Sequence, residues 1–316
     1  MRLLVTGGAG FIGSHFVDLV VGLGGQVVVV DDLSSGRADN LPTHRSVEFV
    51  KKDFRTCEAR DFVGSFDAIV HLAALPSVVT SWEQPMQAHE SNLSLTLHAI
   101  ILASELRIKR VIFASSAAVY GNAAEVPTKE SSQTSPSSPY GLQKLTSERY
   151  GQLFAGALGL SFVGLRFFNV FGPRQSQSSP YSGVISKFLA AMQGGLSINM
   201  TGDGQQTRDF IYVKDVAAAL QAAVTKIPDE TPWLVLNIGT GVPTSILKLH
   251  REMSRFFPNA DRMPTFLPPL SGDIRYSTAC TAAATEVLGF CPRYSLQDGL
   301  SELVQDSMKL ERPVNP

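Results

Sequence analysis

The chain has 316 residues, 44% of them hydrophobic and 17% charged, with a net charge of -1 at pH 7. This balance fits a soluble globular protein of one or two domains and leaves no charge excess to favour nucleic acid or an acidic membrane surface. No apolar run reaches membrane-spanning length, and Met1 to Thr6 leads straight into a glycine loop, so neither a membrane segment nor a signal peptide is expected.

Leu3-Leu4-Val5 reads as a short buried strand. Gly7, Gly8, Gly10 and Gly13 follow, then a helix through about Val21. The second strand, Gln26 to Val30, is continuously apolar, as in a parallel sheet covered on both faces, and it ends in Asp31-Asp32. A glycine-rich turn between strand and helix lets backbone N–H groups approach a pyrophosphate. A carboxylate after the next strand accepts ribose hydroxyls, and Asp31 stands at that distance. Asp31 argues for NAD over NADP, because a 2′-phosphate would meet this carboxylate.

Val47 to Val50 is a third strand, leading to Asp53-Phe54. Ala68 to Ala74 is a fourth, and Glu83 to Leu106 reads as one long helix. Val111 to Ala114 is a fifth strand, ending in Ser115-Ser116. Ser131 to Ser138 is a Ser/Pro-rich loop. The helix after it carries Tyr140 and Lys144 four residues apart, hence on one face. A lysine ammonium beside a phenol lowers the phenol's pKa, which makes a usable base near neutral pH. Ser161 to Phe168 is a sixth strand, ending at Asn169.

The alternation predicts an α/β fold with a doubly wound parallel sheet, and ligands then sit beyond the carboxyl ends of the strands. His71 falls there too, but it reads better as packing than as catalysis. His15 and the remaining histidines join no constellation, and no cluster has metal-ligand spacing. After Asn169 the chain becomes loop-rich, with a helix from Val184 to Met192, another from Asp215 to Val224 and a strand from Leu234 to Ile238. The expected division is a cofactor domain over residues 1–169, rejoined by about 205–240, and a smaller substrate lobe over 170–316. Arg208 reads equally as a phosphate ligand or as a surface partner of Asp209. Cys57, Cys280 and Cys291 are odd in number and lack metal-ligand spacing, which fits reduced thiols in the cytoplasm.

These residues resemble the extended short-chain dehydrogenase/reductase family, and most closely its UDP-sugar 4-epimerase branch. The resemblance rests on Thr6 to Gly13, His71 to Ala74, Ser115 to Gly121, Tyr140 with Lys144, Arg166 to Asn169 and Arg208 to Tyr212. It implies NAD held by Gly7, Gly10, Phe11, Ile12, Gly13, Asp31, Asp32, Asp53, Phe54, Leu72, Ala73, Ala74, Asn92, Tyr140, Lys144 and Phe167. It implies a UDP-sugar held by Ser77, Ser116, Asn169, Val184, Asn199, Arg208, Asp273 and Ser277. Ser116, Tyr140 and Lys144 are the implied catalytic residues. The implied reaction is transient oxidation at C4 of a UDP-hexose, followed by re-reduction from the other face.

Ala117 and Ala118 stand where related dehydratases and decarboxylases carry the acid that elimination needs, which argues against both activities. Ser176 stands where enzymes for acidic sugars place an arginine. Ser277 matches a gate position that is bulky in enzymes restricted to plain hexoses, so room for a 2-N-acetyl group is expected. Leu270 replaces an arginine usual for the diphosphate; either Arg275 or Arg174 substitutes, or UDP binds more weakly. The resemblance also implies a homodimer built on the long helix and the Tyr140 helix. The alternatives are a nucleotide-sugar ketoreductase, a UDP-glucuronate 4-epimerase, and an NAD-sensing regulator on the same fold.

Overall fold

The structure is a computed structural model, and it describes residues 1–176, 183–258, 263–269 and 274–310. The chain opens with β1 (Arg2–Thr6), α1 (Phe11–Gly22), β2 (Gln26–Asp31), β3 (Val47–Lys51) and β4 (Ala68–His71). Then come α2 (Val78–Glu83), α3 (Pro85–His89), a π turn over Glu90–Ser94, α4 (Leu95–Glu105), β5 (Arg110–Ser116), α5 (Pro139–Leu158) and β6 (Ser161–Phe167). The later elements are β7 (Asn169–Phe171), α6 (Val184–Gln193), β8 (Asn199–Thr201), β9 (Thr207–Tyr212), α7 (Val213–Lys226) and β10 (Trp233–Ile238). They are followed by β11 (Pro243–Ser245), α8 (Ile246–Ser254), β12 (Thr265–Leu267), α9 (Ala282–Leu288) and α10 (Leu296–Leu310).

The main sheet has seven parallel strands in the order β10-β6-β5-β4-β1-β2-β3. Successive strand residues point to opposite faces. Leu3 and Val5 accordingly pack with Phe16, Val17 and Val20 of α1 and with Val216 and Leu220 of α7. Leu4, Val28, Ile69 and Phe113 face the other way, against Leu95, Ala99 and Leu102 of α4 and Ala155 of α5. Both faces are covered, which is why the strands read as unbroken apolar runs. The Arg110 guanidinium donates to the carbonyls of Val224 and Ile227 at the end of α7 and pairs with Asp229.

A second core gathers Phe171, Phe188 and Leu189 of α6, Phe210 of β9, Leu249 and Met253 of α8, and Leu300 and Leu303 of α10. Smaller sheets, β11-β9-β7 and β12-β8, lie in this half. The chain crosses between the two cores more than once: β10, ahead of β11 and α8, completes the main sheet, and Ala284, Leu288 and Phe290, ahead of α10, pack into the first core.

Two expected boundaries move. The fourth strand stops at His71, because Leu72-Ala73-Ala74 turns away to meet the glycine loop. The helix expected from Glu83 starts at Pro85 instead, since proline cannot donate back to the preceding turn. It then runs to Glu105 through the π turn that holds Asn92.

Candidate active site

The glycine turn is built by close approach. Gly7 has φ +68°, and a Cβ there would lie 2.6 Å from the Ala73 nitrogen. A Cβ at Gly13 would collide with the Gly7 carbonyl oxygen, and one at Gly10 would lie 3.2 Å from the same atom. Gly10 caps α1 without a side chain, so the first N–H groups of the helix face outward. Phe11 and Ile12 open that helix half-buried. Asp31 stands beneath this turn: it accepts from Ala9 N–H at 3.0 Å and from Leu33 N–H at 2.9 Å. Burial pushes its carboxyl above the usual range, and those two N–H bonds oppose the shift. Asp32 is exposed and accepts from Ser34 N–H. A cradle that any Cβ would fill, an uncapped helix start and a carboxylate at the end of β2 together fit a dinucleotide.

Asp53 is gripped by Arg55 at 2.6 Å, which holds its carboxyl below the usual range. Phe54 is 4% exposed and its ring packs on His71 and His98, so its side chain is core. His71 is buried between Thr6 and Thr96, and its role is fixed by its neighbours. Thr96 donates its hydroxyl to the Asn92 carbonyl at 2.7 Å, so it accepts from His71 Nε2 at 3.3 Å. His71 Nδ1 is then bare and accepts from the Thr6 hydroxyl at 2.7 Å. Thr6 in turn accepts from Ala73 N–H at 3.2 Å. Burial pushes the imidazole down to about 3, so it is neutral and structural.

Ser116 ends β5 beside Phe167, its register partner on β6. Its hydroxyl accepts from Ala118 N–H at 3.1 Å and stands beside the Tyr140 phenol. Tyr140 stands at the start of α5, half-buried, with Lys144 one turn on. The Lys144 ammonium lies 5.9 Å from the Tyr140 ring centre and 4.7 Å from that of Phe113, and it donates to the Ala114 carbonyl at 2.8 Å. The spacing does bring tyrosine and lysine to one face, but the expected pKa effect fails in the protein alone. Burial pushes the Tyr140 phenol up, opposed only by the Ser116 hydrogen bond. Lys144, 4% exposed, is itself pushed down to about 7 by burial, with Glu148 pulling it back up. A lysine that loses its proton near neutrality gives the phenolate no fixed cation.

Below this pair lies a buried network that joins Ser115, Tyr120 and Arg166 of those motifs to Glu148 and Asn237, which motif reading missed. Glu148 accepts from Ser115 at 2.5 Å and from Arg166 at 2.7 and 2.9 Å. Arg166 donates to the Tyr120 hydroxyl, which donates to Asn237 at 2.6 Å. The available signal was Glu148 four residues after Lys144 on the same helix face. Asn92, 2% exposed, clamps Leu75 by its N–H at 2.8 Å and its carbonyl at 3.3 Å. Ser77 caps α2 and is buried, its hydroxyl taken by Thr80.

The other expected sugar-nucleotide residues lie on the second lobe. Asn169 is exposed on β7, in register with Phe210 on β9. The Arg208 guanidinium donates to the carbonyls of Ile274 at 2.6 Å and Thr207 at 2.9 Å. Asp209 faces the other way, buried on the N–H groups of Thr240, Gly241 and Ala279. Ser277 is half-buried, and its N–H donates to Thr207. Arg208 and Ser277 are therefore neighbours; Asp273 and Leu270 lie outside the described residues. Val184 and Asn199 open α6 and β8. Arg275 is bidentate on Asp203 at 2.7 and 2.9 Å, and Arg174 pairs with Asp18 at 2.8 Å. His15, which joined nothing in the sequence, lies 3.0 Å from the Pro173 carbonyl and ties α1 to that loop. Among the described residues no group of three metal-ligating side chains converges, and no helix is long and apolar enough to cross a membrane.

The family described as NAD dependent epimerase/dehydratase matches residues 3–239. The chain belongs to that family. As a member, it is 36% identical over 311 residues to a UDP-glucose 4-epimerase of Mycolicibacterium smegmatis, covering 96% of this chain and 98% of that one. Two solved structures are equally close to this epimerase/dehydratase. One is a UDP-N-acetylglucosamine 4-epimerase from Methanobrevibacter ruminantium in complex with UDP-N-acetylmuramic acid, 37% identical, covering 98% of both chains, TM-score 0.92. The other is a UDP-glucose 4-epimerase from Thermotoga maritima with UDP-glucose, 36% identical, covering 99% of this chain and 100% of that chain, TM-score 0.92.

Proposed function

We propose that the protein is an NAD-dependent UDP-hexose 4-epimerase, acting on UDP-N-acetylglucosamine and UDP-glucose and on their C4 epimers. The observation that carries this reading is Ser116 at the end of β5 beside Tyr140, with Lys144 one turn away on α5 and the glycine cradle at the end of β1, two strands over in the same sheet. Gly7, Gly10, Gly13 and Asp31 would hold NAD, together with Asn92, Lys144 and Phe167. When bound, NAD supplies reversible hydride transfer at the sugar's C4.

The chain's own residues do the rest. Ser116 holds the O4 oxygen, and Tyr140 takes its proton as the C4 hydrogen leaves. The 4-keto sugar turns while Asn169, Arg208 and Asp273 keep the nucleotide diphosphate, and Tyr140 then returns the proton. Ala117 and Ala118 put no acid beside O4, so elimination has no catalyst. Ser277 and Ser77, both small, leave room for a 2-N-acetyl group. In this reading residues 1–169 with 205–240 form the cofactor domain, and 170–316 mainly form the sugar-nucleotide lobe. We place the enzyme in the cytoplasm, supported by three free cysteines, and as a homodimer, supported by an apolar face on α4 and α5.

The test is product analysis. Incubate the protein with UDP-glucose and, separately, UDP-N-acetylglucosamine, and separate the C4 epimers. Tyr140→Phe should keep its fold and its NAD while losing roughly two to four orders of magnitude in kcat, the usual worth of a positioned acid/base. Wild-type protein that epimerises neither sugar, or a Tyr140→Phe variant at full rate, overturns the reading.

A further inference from the structure

Tyr140 is held from a place that neither its own helix nor the cofactor cradle provides. Pro139, at the first position of α5, has no N–H. The N-cap Ser138 accepts from Gly141 N–H at 3.1 Å. The Tyr140 N–H lies between them and has no acceptor within the helix. It donates instead to the Ser81 hydroxyl at 3.1 Å, across 59 residues of sequence. Ser81 lies on α2 and is 0% exposed. Its own hydroxyl proton goes to the Val78 carbonyl at 2.7 Å, which turns its lone pairs toward Tyr140.

Leu75 to Ser81 is thus clamped at both ends. Asn92 holds Leu75 by N–H and carbonyl, and Tyr140 holds Ser81. Between the clamps lies Ser77, assigned above to the sugar. We propose that Ser81 is a positioning residue for the catalytic base: it ties the backbone of Tyr140 to the segment that reads the sugar, so the phenol is placed through that segment. This rests on the roles given above to Tyr140 and to the stretch at Ser77.

The logic is geometric. Ser81→Ala leaves a buried N–H without an acceptor, and the first turn of α5 relaxes away from α2. A displacement of about 1 Å at a catalytic group can lower a rate by as much as about 100-fold, with ground-state binding little changed. The experiment measures kcat, KM, retained NAD and melting temperature for wild type, Ser81→Ala, Ser81→Thr, Tyr140→Phe and the double variant Ser81→Ala/Tyr140→Phe. Ser81→Ala should keep its NAD and its KM within about twofold, while kcat falls roughly five- to 100-fold. Ser81→Thr keeps the hydroxyl and should recover most of that loss. The double variant should be no slower than Tyr140→Phe alone, because Ser81 acts through Tyr140 and the effects of residues working as a unit do not add. Wild-type kcat in Ser81→Ala, a change confined to KM, or losses that multiply in the double variant would each overturn the proposal. A fully active Tyr140→Phe overturns the proposed function itself. An inactive Tyr140→Phe beside a fully active Ser81→Ala overturns only the role of Ser81.

Discussion

At Lys144 the fold accepts a loss of stability where the chemistry is proposed. The ordinary lysine value is 10.5, and burial brings this one down to about 7. Between those values the unfolded chain holds a proton that the native state has lost. Stability therefore rises with pH across that window, and the penalty is largest at and below pH 7. A shift of this size is worth about 5 kcal/mol, and replacing buried ionic groups by apolar side chains of similar volume is often neutral or stabilising by about 1–4 kcal/mol. Lys144→Met loses the bond to the Ala114 carbonyl, so a net gain of about 1–3 kcal/mol at pH 7 is expected in nucleotide-free protein. The gain should shrink toward pH 9.5, and activity should be gone. Urea midpoints at both pH values check this; a Met variant less stable than wild type at pH 7 would sink it. Tyr140, Lys144 and Ser116 could be picked out from the sequence because the first two are four apart on one helix and the third ends a strand. Ser81, Thr6 and Thr96 could not, since each hydroxyl meets its partner only after distant elements pack.

Among the elements, the sheet was legible because strands buried on both faces read as unbroken apolar runs, and β6 is buried at all seven positions. The helix ends shifted where one residue decided them, as Pro85 does. The short strands β7, β8, β11 and β12 carry three residues each, too few for a period to register. The π turn has no sequence signal either, yet it sets Asn92 against Leu75 and its carbonyl against Thr96. Through Thr96, His71 and Thr6 the turn reaches the Ala73 N–H beside the glycine loop. This relay links three elements and works only with a neutral imidazole. His71 titrates at about 3 in the fold against 6.5 ordinarily, so its contribution is complete above pH 6.5 and is lost as pH falls toward 3. At pH 5 the loss is about 2 kcal/mol relative to pH 7. His71→Gln keeps a donor and an acceptor but cannot titrate. It should be less stable than wild type at pH 7, and the gap should narrow by about that amount at pH 5. Parallel denaturation curves at the two pH values measure the gap; an unchanged gap means that His71 does not report on pH.

Across the whole molecule, the faces of α4 and α5 turned away from the sheet remain to be explained. Ile101 on α4 is 46% exposed, and on α5 Leu142 is 55%, Tyr150 36% and Leu153 71%. The three α5 residues follow each other at intervals of eight and three, which places them along one side of the helix. Large apolar side chains left exposed along one side of a helix mark a candidate interaction surface. α4 and α5 cross between parallel strands on one face of the sheet, so they run side by side in the same direction; presented together they can meet their own copies across a twofold as a four-helix bundle, and each residue near the axis then counts twice. A specific dimer needs about 1,200–2,000 Å² of buried surface, which two 11- and 20-residue helices from each protomer can supply. Leu153→Arg places a charge in the stripe at its most exposed point, and two copies of it meet if the dimer forms there. Val63→Arg is the matched control, because Val63 is 82% exposed but lies far along the chain, before β4. Wild type and Val63→Arg should sediment at twice the chain mass of 34.1 kDa, and Leu153→Arg should sediment at that mass. The active centre of each protomer is built from its own α5, so the separated variant should keep its NAD and a measurable rate. If wild type sediments as a monomer at micromolar concentration, or Leu153→Arg stays paired, the stripe does not join two copies of this chain.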